Sequence, residues 1–191
     1  MLIWYNTRTM TKNIFIHIPK NGGKYIRTQI KKKNENKIIK GYWGVNGRVD
    51  LAHIPYVKRV KYIEKCDKYN YITYSRCPYD RLISAFCYKN RRKGTDDFKK
   101  FCKEELQKIT FNNKYDKTLV HYYPQYLFIC NKKNEIIDID IKRINAPKKY
   151  DLEKYYNDET LKIVNEVYKH DFKKLNYKIY NTIIEWKTSE Q

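Results

Sequence analysis

Two short segments of this chain carry residue types suited to holding an anion. The first is Ile16-His17-Ile18-Pro19-Lys20-Asn21-Gly22-Gly23, at the end of an apolar burst over 13–18. The second is Ser75-Arg76-Cys77-Pro78-Tyr79-Asp80-Arg81-Leu82-Ile83-Ser84, after a strand-like run over 70–74. In the first, a buried strand breaks at a glycine turn that carries a lysine, and a helical stretch follows. Glycines let backbone N–H groups close on phosphate-type oxygens, and the helix N-terminus adds partial positive charge. The second repeats the layout, with Arg76 at the strand end and Pro78 placed for a first helical turn. Ser84 falls two turns into that helix, so Arg76 and Ser84 can reach one ligand group. Arg81, between them, either pairs with an acid or adds to the same site.

The elements that must position these residues follow from periodicity and turn signals. Strands are expected at 13–18, 37–39 and 70–75, and helices at 23–33, 55–66 and 78–90. The stretch 41–50, with three of the six glycines, reads as an irregular loop. A helix over 96–108 has Asp96 or Thr95 as N-cap and Phe98, Phe101, Cys102 and Leu106 inward. Strands at 126–130 and 136–141 around the polar turn 131–134 suggest a hairpin. A late helix spans 158–168, with Leu161, Val164 and Val167 inward. Strands alternating with helices predict a single α/β domain over residues 1–191: a three-layer α/β/α sandwich with a mostly parallel central sheet. In such sheets ligands sit at the carboxyl ends of the strands, where both segments fall.

Composition bounds the partners. The chain has 191 residues, enough for a real core, and a formal charge of +20. That charge fits a polyanion partner such as a glycosaminoglycan, nucleic acid or anionic membrane; it equally fits a solvated basic surface inflated by the codon bias of an AT-rich genome. The five cysteines, at 66, 77, 87, 102 and 130, show no CxxC spacing and indicate neither a zinc site nor a redox dithiol. No run approaches the ~20 apolar residues that span a bilayer, and residues 1–11 are too polar for a signal peptide. A soluble protein is expected, cytoplasmic by default.

Taken together and in this order, the two segments resemble the PAPS-dependent sulfotransferases. The carbohydrate branch (Golgi-type, heparan/dermatan/chondroitin-like) is most similar, with motifs Pro-Lys-Thr/Ser-Gly-Gly-Thr/Ser and Arg-x-Pro-x-x-Arg-x-x-Ser. PAPS is 3′-phosphoadenosine 5′-phosphosulfate, the sulfuryl donor; PAP is the bisphosphate product. His121-Tyr122-Tyr123-Pro124-Gln125 is similar to a His-x-x-Pro-Gln segment of the family. Tyr168-Lys169-His170-Asp171-Phe172 is similar to its closing Tyr-x-x-Asp-Phe pattern. The resemblance covers roughly 12–180. The chain departs from it at Lys24-Tyr25, where hydroxyl residues usually stand, and lacks an evident glutamate around 141–145. It also shows no N-terminal membrane anchor of the cellular members.

The resemblance implies a P-loop-like fold and a role for each matched residue. Lys20, Asn21, Gly22, Gly23, Lys24 and Tyr25 would form the 5′-phosphosulfate loop, and Arg76 and Ser84 the 3′-phosphate clamp. Lys20 would neutralise charge on the leaving group. His53, between the motifs as in some members, would be the base, since an imidazole pKa of ~6.5 suits proton abstraction near neutrality. His121 either binds the acceptor or is structural. Trp43 and Arg48, with Tyr42 and residues 89–92, are candidates for acceptor contacts; His17 reads as a packed strand residue and His170 as structural. The chemistry needs no metal. The acceptor would be a hydroxyl, on a carbohydrate or anionic glycan, with no specific nucleic acid partner. Two other classes stay open. A P-loop phosphotransferase lacks its Gly-x-x-x-x-Gly-Lys-Ser/Thr signature here. A non-catalytic polyanion- or nucleotide-binding protein fits the Lys24-Tyr25 departure.

Overall fold

The structure is a computed structural model that describes residues 13–33, 45–46, 49–50, 53–59, 69–89, 94–109, 116, 118–144 and 150–188. The expected strand at 37–39, most of the helix expected over 55–66, and Tyr42, Trp43, Arg48, Cys66 and residues 90–92 lie outside them.

Among the described residues, three parallel strands form the main sheet in the order β1 (Asn13–Ile16), β4 (Asn70–Ser75), β5 (Ile139–Arg143). The class is therefore mixed α/β with a small parallel sheet. The pairs Val45–Asn46 (β2) and Val49–Asp50 (β3) form a two-residue antiparallel ribbon inside the stretch expected to be an irregular loop. Ile14, Phe15 and Ile16 are all buried, the continuous apolar reading of a parallel strand covered on both faces. Thr73 on β4 spends its hydroxyl on the Ile16 carbonyl at 2.8 Å, so a polar residue sits in the sheet without an unmet group.

Each strand of the first two motifs feeds a helix: β1 leads to α1 (Gly23–Lys33) and β4 to α3 (Pro78–Lys89). Helix α2 (Tyr56–Arg59) is a single turn. One core cluster joins Ile14, Ile16, Ile18 and Tyr71 of the sheet to Val120, Tyr123, Phe128 and Ile129. A larger one packs α3 against α4 (Thr95–Glu104), α5 (Leu152–Tyr155), α6 (Asp158–Val167), α7 (Lys169–Lys174) and α8 (Ile183–Thr188). Tyr79 on α3 is its hub, with ring centroids 4.8 Å from Phe172 and 4.9 Å from Trp186. Phe98, Phe101, Cys102 and Leu106 are buried as their spacing requires.

Several expectations are corrected. Helix α4 is capped at Gly94, whose N–H is accepted by Asp97 reaching back at 3.0 Å, rather than by Thr95 or Asp96. It stops at Glu104, and a separate 3-10 turn carries Leu106–Lys108. The strand expected at 126–130 is instead a 3-10 turn, Gln125–Phe128. Its cause lies far along the chain: the Asp171 carboxylate accepts the N–H groups of Gln125 and Tyr126, both at 2.8 Å, and so caps the turn's open donors. The hairpin shrinks to one antiparallel bridge, Cys130 to Ile136, and the strand that follows pairs with β4 in parallel.

Candidate anion-binding site

Strands β1 and β4 run side by side in parallel, so their carboxyl ends lie on one edge of the sheet, ~4.8 Å apart. The two loops that leave them therefore open into the same space. A cavity of about 730 Å³ sits there, lined by His17, Lys20, Gly22, Gly23, Lys24, Tyr25, Arg27, Thr28, His53, Arg76, Ser84, Tyr88, His121 and Tyr150. Lys20, Lys24, Arg27 and Arg76 bring positive charge to its wall, and no Asp or Glu is among the described residues that line it. Such a field selects anions.

The first loop is wound tightly. Lys20 and Gly22 both take positive φ, 69° and 64°. For lysine this left-handed backbone costs about 1 kcal/mol. Gly23 must be glycine for another reason. A Cβ there would enter the His17 ring, with even the ring's Cε1 only 2.6 Å away. The missing Cβ is what lets His17 pack straight onto the α1 N-terminus.

Asn21 is the exception among the loop residues. It is buried beneath the cavity, and its amide donates to the Tyr74 carbonyl at 2.6 Å and to Gln125 Oε1 at 2.8 Å. Its side chain ties the loop to β4 and does not line the cavity. The second loop is held by the same glutamine. Gln125 Oε1 accepts Arg76 N–H at 3.0 Å, and Gln125 Nε2 donates to the Arg76 carbonyl at 2.8 Å. The Arg76 backbone is fixed, and its guanidinium is left to the cavity. Ser84 and Tyr88, one turn apart on α3, line the wall together. Lys20 Nζ rests over the Tyr88 ring, 4.2 Å from its centroid.

Arg81 is fully buried and lies outside the cavity. Nε donates to the Pro19 carbonyl at 3.0 Å and a terminal nitrogen to the His121 carbonyl at 3.3 Å. Desolvation lowers its pKa, while Tyr168 and buried Asp171 oppose that shift. Burial pushes Asp171 up to about 6, against the pull of Arg81 and its backbone donors.

Three imidazoles meet at one end of the cavity. The rings of His17 and His53 lie 4.4 Å apart and those of His53 and His121 5.5 Å apart; Tyr88 stacks on His121 at 4.9 Å. Burial first, then the surrounding positive groups, depress His17 to about 2 and His121 to about 3. Both are neutral at pH 7. His53 Nδ1 lies 3.3 Å from the His17 carbonyl. A carbonyl only accepts, so in the tautomer that makes this bond Nδ1 carries the proton and Nε2 is the unprotonated nitrogen, the one suited to a base. Among the described residues no group of three His, Cys, Asp or Glu could hold a metal ion.

The structure thus brings Lys20, Gly22, Gly23, Lys24, Tyr25, His53, Arg76, Ser84 and His121 to one cavity and turns Asn21 away from it. The sequence reading missed His17, Arg27, Thr28, Tyr88 and Tyr150 as lining residues. For three of them a signal existed: Arg27 and Thr28 follow Lys24 at three and four residues, and Tyr88 follows Ser84 at four, the spacings of one helical face. No family model, curated protein or solved structure matches the chain. No described helix is long and apolar enough to cross a membrane.

Proposed function

We propose that the protein is a PAPS-dependent sulfotransferase with a P-loop-like α/β/α architecture, transferring a sulfuryl group to a hydroxyl, with a carbohydrate as the acceptor class. One observation carries the reading: the loops after two adjacent parallel strands present Lys20 and Arg76 to one nucleotide-sized cavity whose described lining has four Lys and Arg side chains and no carboxylate. The donor has anionic groups at both ends of its ribose, and the residues present fit that charge pattern.

In this reading Arg76 and Ser84 hold the 3′-phosphate, while the Gly22–Gly23 turn, the α1 N-terminus and Lys20 hold the 5′ end. Lys24 supplies charge where relatives supply a hydroxyl. His53 Nε2 takes the proton from the acceptor hydroxyl as its oxygen bonds to sulfur. The bond from sulfur to the bridging oxygen breaks, and Lys20 neutralises the charge left on the 5′-phosphate of PAP. Tyr25, Tyr88 and Tyr150 give the cavity wall aromatic surface for a sugar ring.

The test is transfer of labelled sulfate from PAPS across a panel of glycans and glycan-free hydroxyl acceptors, with PAP binding measured by calorimetry. Wild type is expected to transfer. Lys20→Ala and Arg76→Ala lose both transfer and PAP affinity, and His53→Ala loses transfer alone. Full activity in Lys20→Ala would overturn the assignment, as would tighter binding of ATP·Mg²⁺ than of PAP. PAP binding without transfer to any acceptor would favour a binding protein.

A further inference from the structure

We infer that Gln125 is a positioning residue that sets the distance between the two anion-holding loops, so that one ligand can occupy both. This rests on the reading of the cavity as a site for a 3′,5′-bisphosphorylated nucleoside. Gln125 is fully buried and is not itself one of the residues that line the cavity. Its amide group nevertheless meets both loops at once. Oε1 accepts the Asn21 amide of the first loop and the Arg76 N–H of the second, and Nε2 donates to the Arg76 carbonyl.

The geometry explains the residue type. A site of this shape needs one acceptor with two lone pairs and one adjacent donor, in a plane and at the end of a two-methylene stem. Glutamine supplies that set. Glutamate loses the donor and puts a second oxygen against the Arg76 carbonyl. Asparagine is a methylene short, and leucine leaves the Arg76 N–H, the Arg76 carbonyl and the Asn21 amide without this partner. Gln125 is itself fixed from behind. Its N–H is accepted by Asp171 on α7, and Pro124 starts the turn that aims it. The position of α7 is thereby passed through a single buried side chain to the spacing of Lys20 and Arg76.

A spacing device has a signature that a merely stabilising residue lacks. It affects a ligand that bridges the loops far more than a ligand that uses one of them, because only the bridging ligand gains from the two subsites being held at the right separation. Calorimetry on the whole chain with PAP, 5′-AMP and 3′-AMP as separate probes reads this directly, for wild type, Gln125→Leu and Gln125→Glu. The expected result is a loss of about 10- to 100-fold for PAP in Gln125→Leu with less than about threefold change for either monophosphate, and an intermediate loss in Gln125→Glu. If Gln125→Leu does not fold, Asn21→Ser releases the first loop alone and carries the same comparison. Equal losses for all three probes, or no loss for PAP, would overturn the positioning role while leaving the bisphosphate site standing. A wild-type chain that binds none of the probes would remove the nucleotide reading itself, and the positioning role with it.

Discussion

The contact between Gly23 and His17 yields a prediction whose sign differs from what local propensity alone implies. Gly23 opens α1, and its φ lies outside the left-handed region. Replacing glycine by alanine in a helix ordinarily stabilises by roughly 0.5–1 kcal/mol. Here the new Cβ would fall inside the His17 ring, 2.6 Å from Cε1 and closer to Nε2 and Cδ2. Ordinary carbon contacts need ~3.5 Å or more and the nearest ring atom, Nε2, would be only 1.8 Å away, so the ring must retreat by roughly 1.7 Å. It has little room: His17 is only 6% exposed, with the His53 ring 4.4 Å away and the Phe15 ring stacked at 5.9 Å. Overpacking of this kind costs about 1–3 kcal/mol. Gly23→Ala should therefore destabilise by that amount in the wild-type background. In a His17→Ala background the obstacle is gone, and the same change should be neutral or stabilising by up to ~1 kcal/mol. The coupling between the two sites is then about 1–4 kcal/mol. Urea unfolding of the four proteins, read by linear extrapolation, measures it. Equal effects of Gly23→Ala in both backgrounds, within ~0.5 kcal/mol, would refute the contact.

Two further predictions concern stability. His17 has a folded pKa near 2, well below its unfolded value of 6.5, so the unfolded chain takes up the proton first and stability falls as pH drops below 6.5. The stability difference between wild type and His17→Ala should shrink by about 1.4 kcal/mol per pH unit between 6.5 and 4.5, and urea titrations at several pH values check it. Asp171 acts in the opposite sense between about 6 and 3.8, because its folded pKa is raised, and it is common to both proteins. Arg81→Lys keeps the charge but cannot reach the Pro19 and His121 carbonyls together from one planar group, so it should cost about 2–4 kcal/mol in the same unfolding assay; a loss under ~0.5 kcal/mol would show that the paired bonds contribute little.

The parts of the site that a reader of the sequence can find are those whose cause is local. Phe15 and Ile16 run into Pro19, Lys20 and Gly22 within a few positions, and Tyr74 runs into Arg76 and Pro78 in the same way. The inner faces of α4 and α6 follow from spacing alone. What escaped has causes far away in the chain. Tyr126–Cys130 is a short apolar run that periodicity cannot divide between strand and turn, and it becomes a turn because Asp171, more than forty residues later, accepts its first N–H groups. Asn21 looks like a loop residue facing ligand until Gln125, a hundred residues on, claims its amide. His17 reads as a packed residue, and it is packed; that the same ring also lines a cavity depends on where His53 and His121 arrive.

The charge that would hold an anion and the groups that would accept a proton are not in competition in this cavity. Burial is the first cause that disfavours an imidazolium at His17 and His121; His53 adds to it, and so do Arg27 and Arg59 at His17 and Lys89, Lys20 and Arg81 at His121. Both rings are thereby kept neutral, as a base must be before it acts. The same effect separates the candidates. A ring held down to about 3, as His121 is, gains little by taking a proton at pH 7, and general-base efficiency is best when the pKa lies near the working pH. His121 is also stacked on Tyr88 and anchored through its carbonyl by Arg81, which suits a wall residue. His53 is half-buried, as His121 is, with Nδ1 against a backbone carbonyl, which makes Nε2 its unprotonated nitrogen. Of the two rings, His53 therefore has the tautomer suited to proton abstraction from a hydroxyl, and His121 suits a residue that shapes the space in which that hydroxyl would sit.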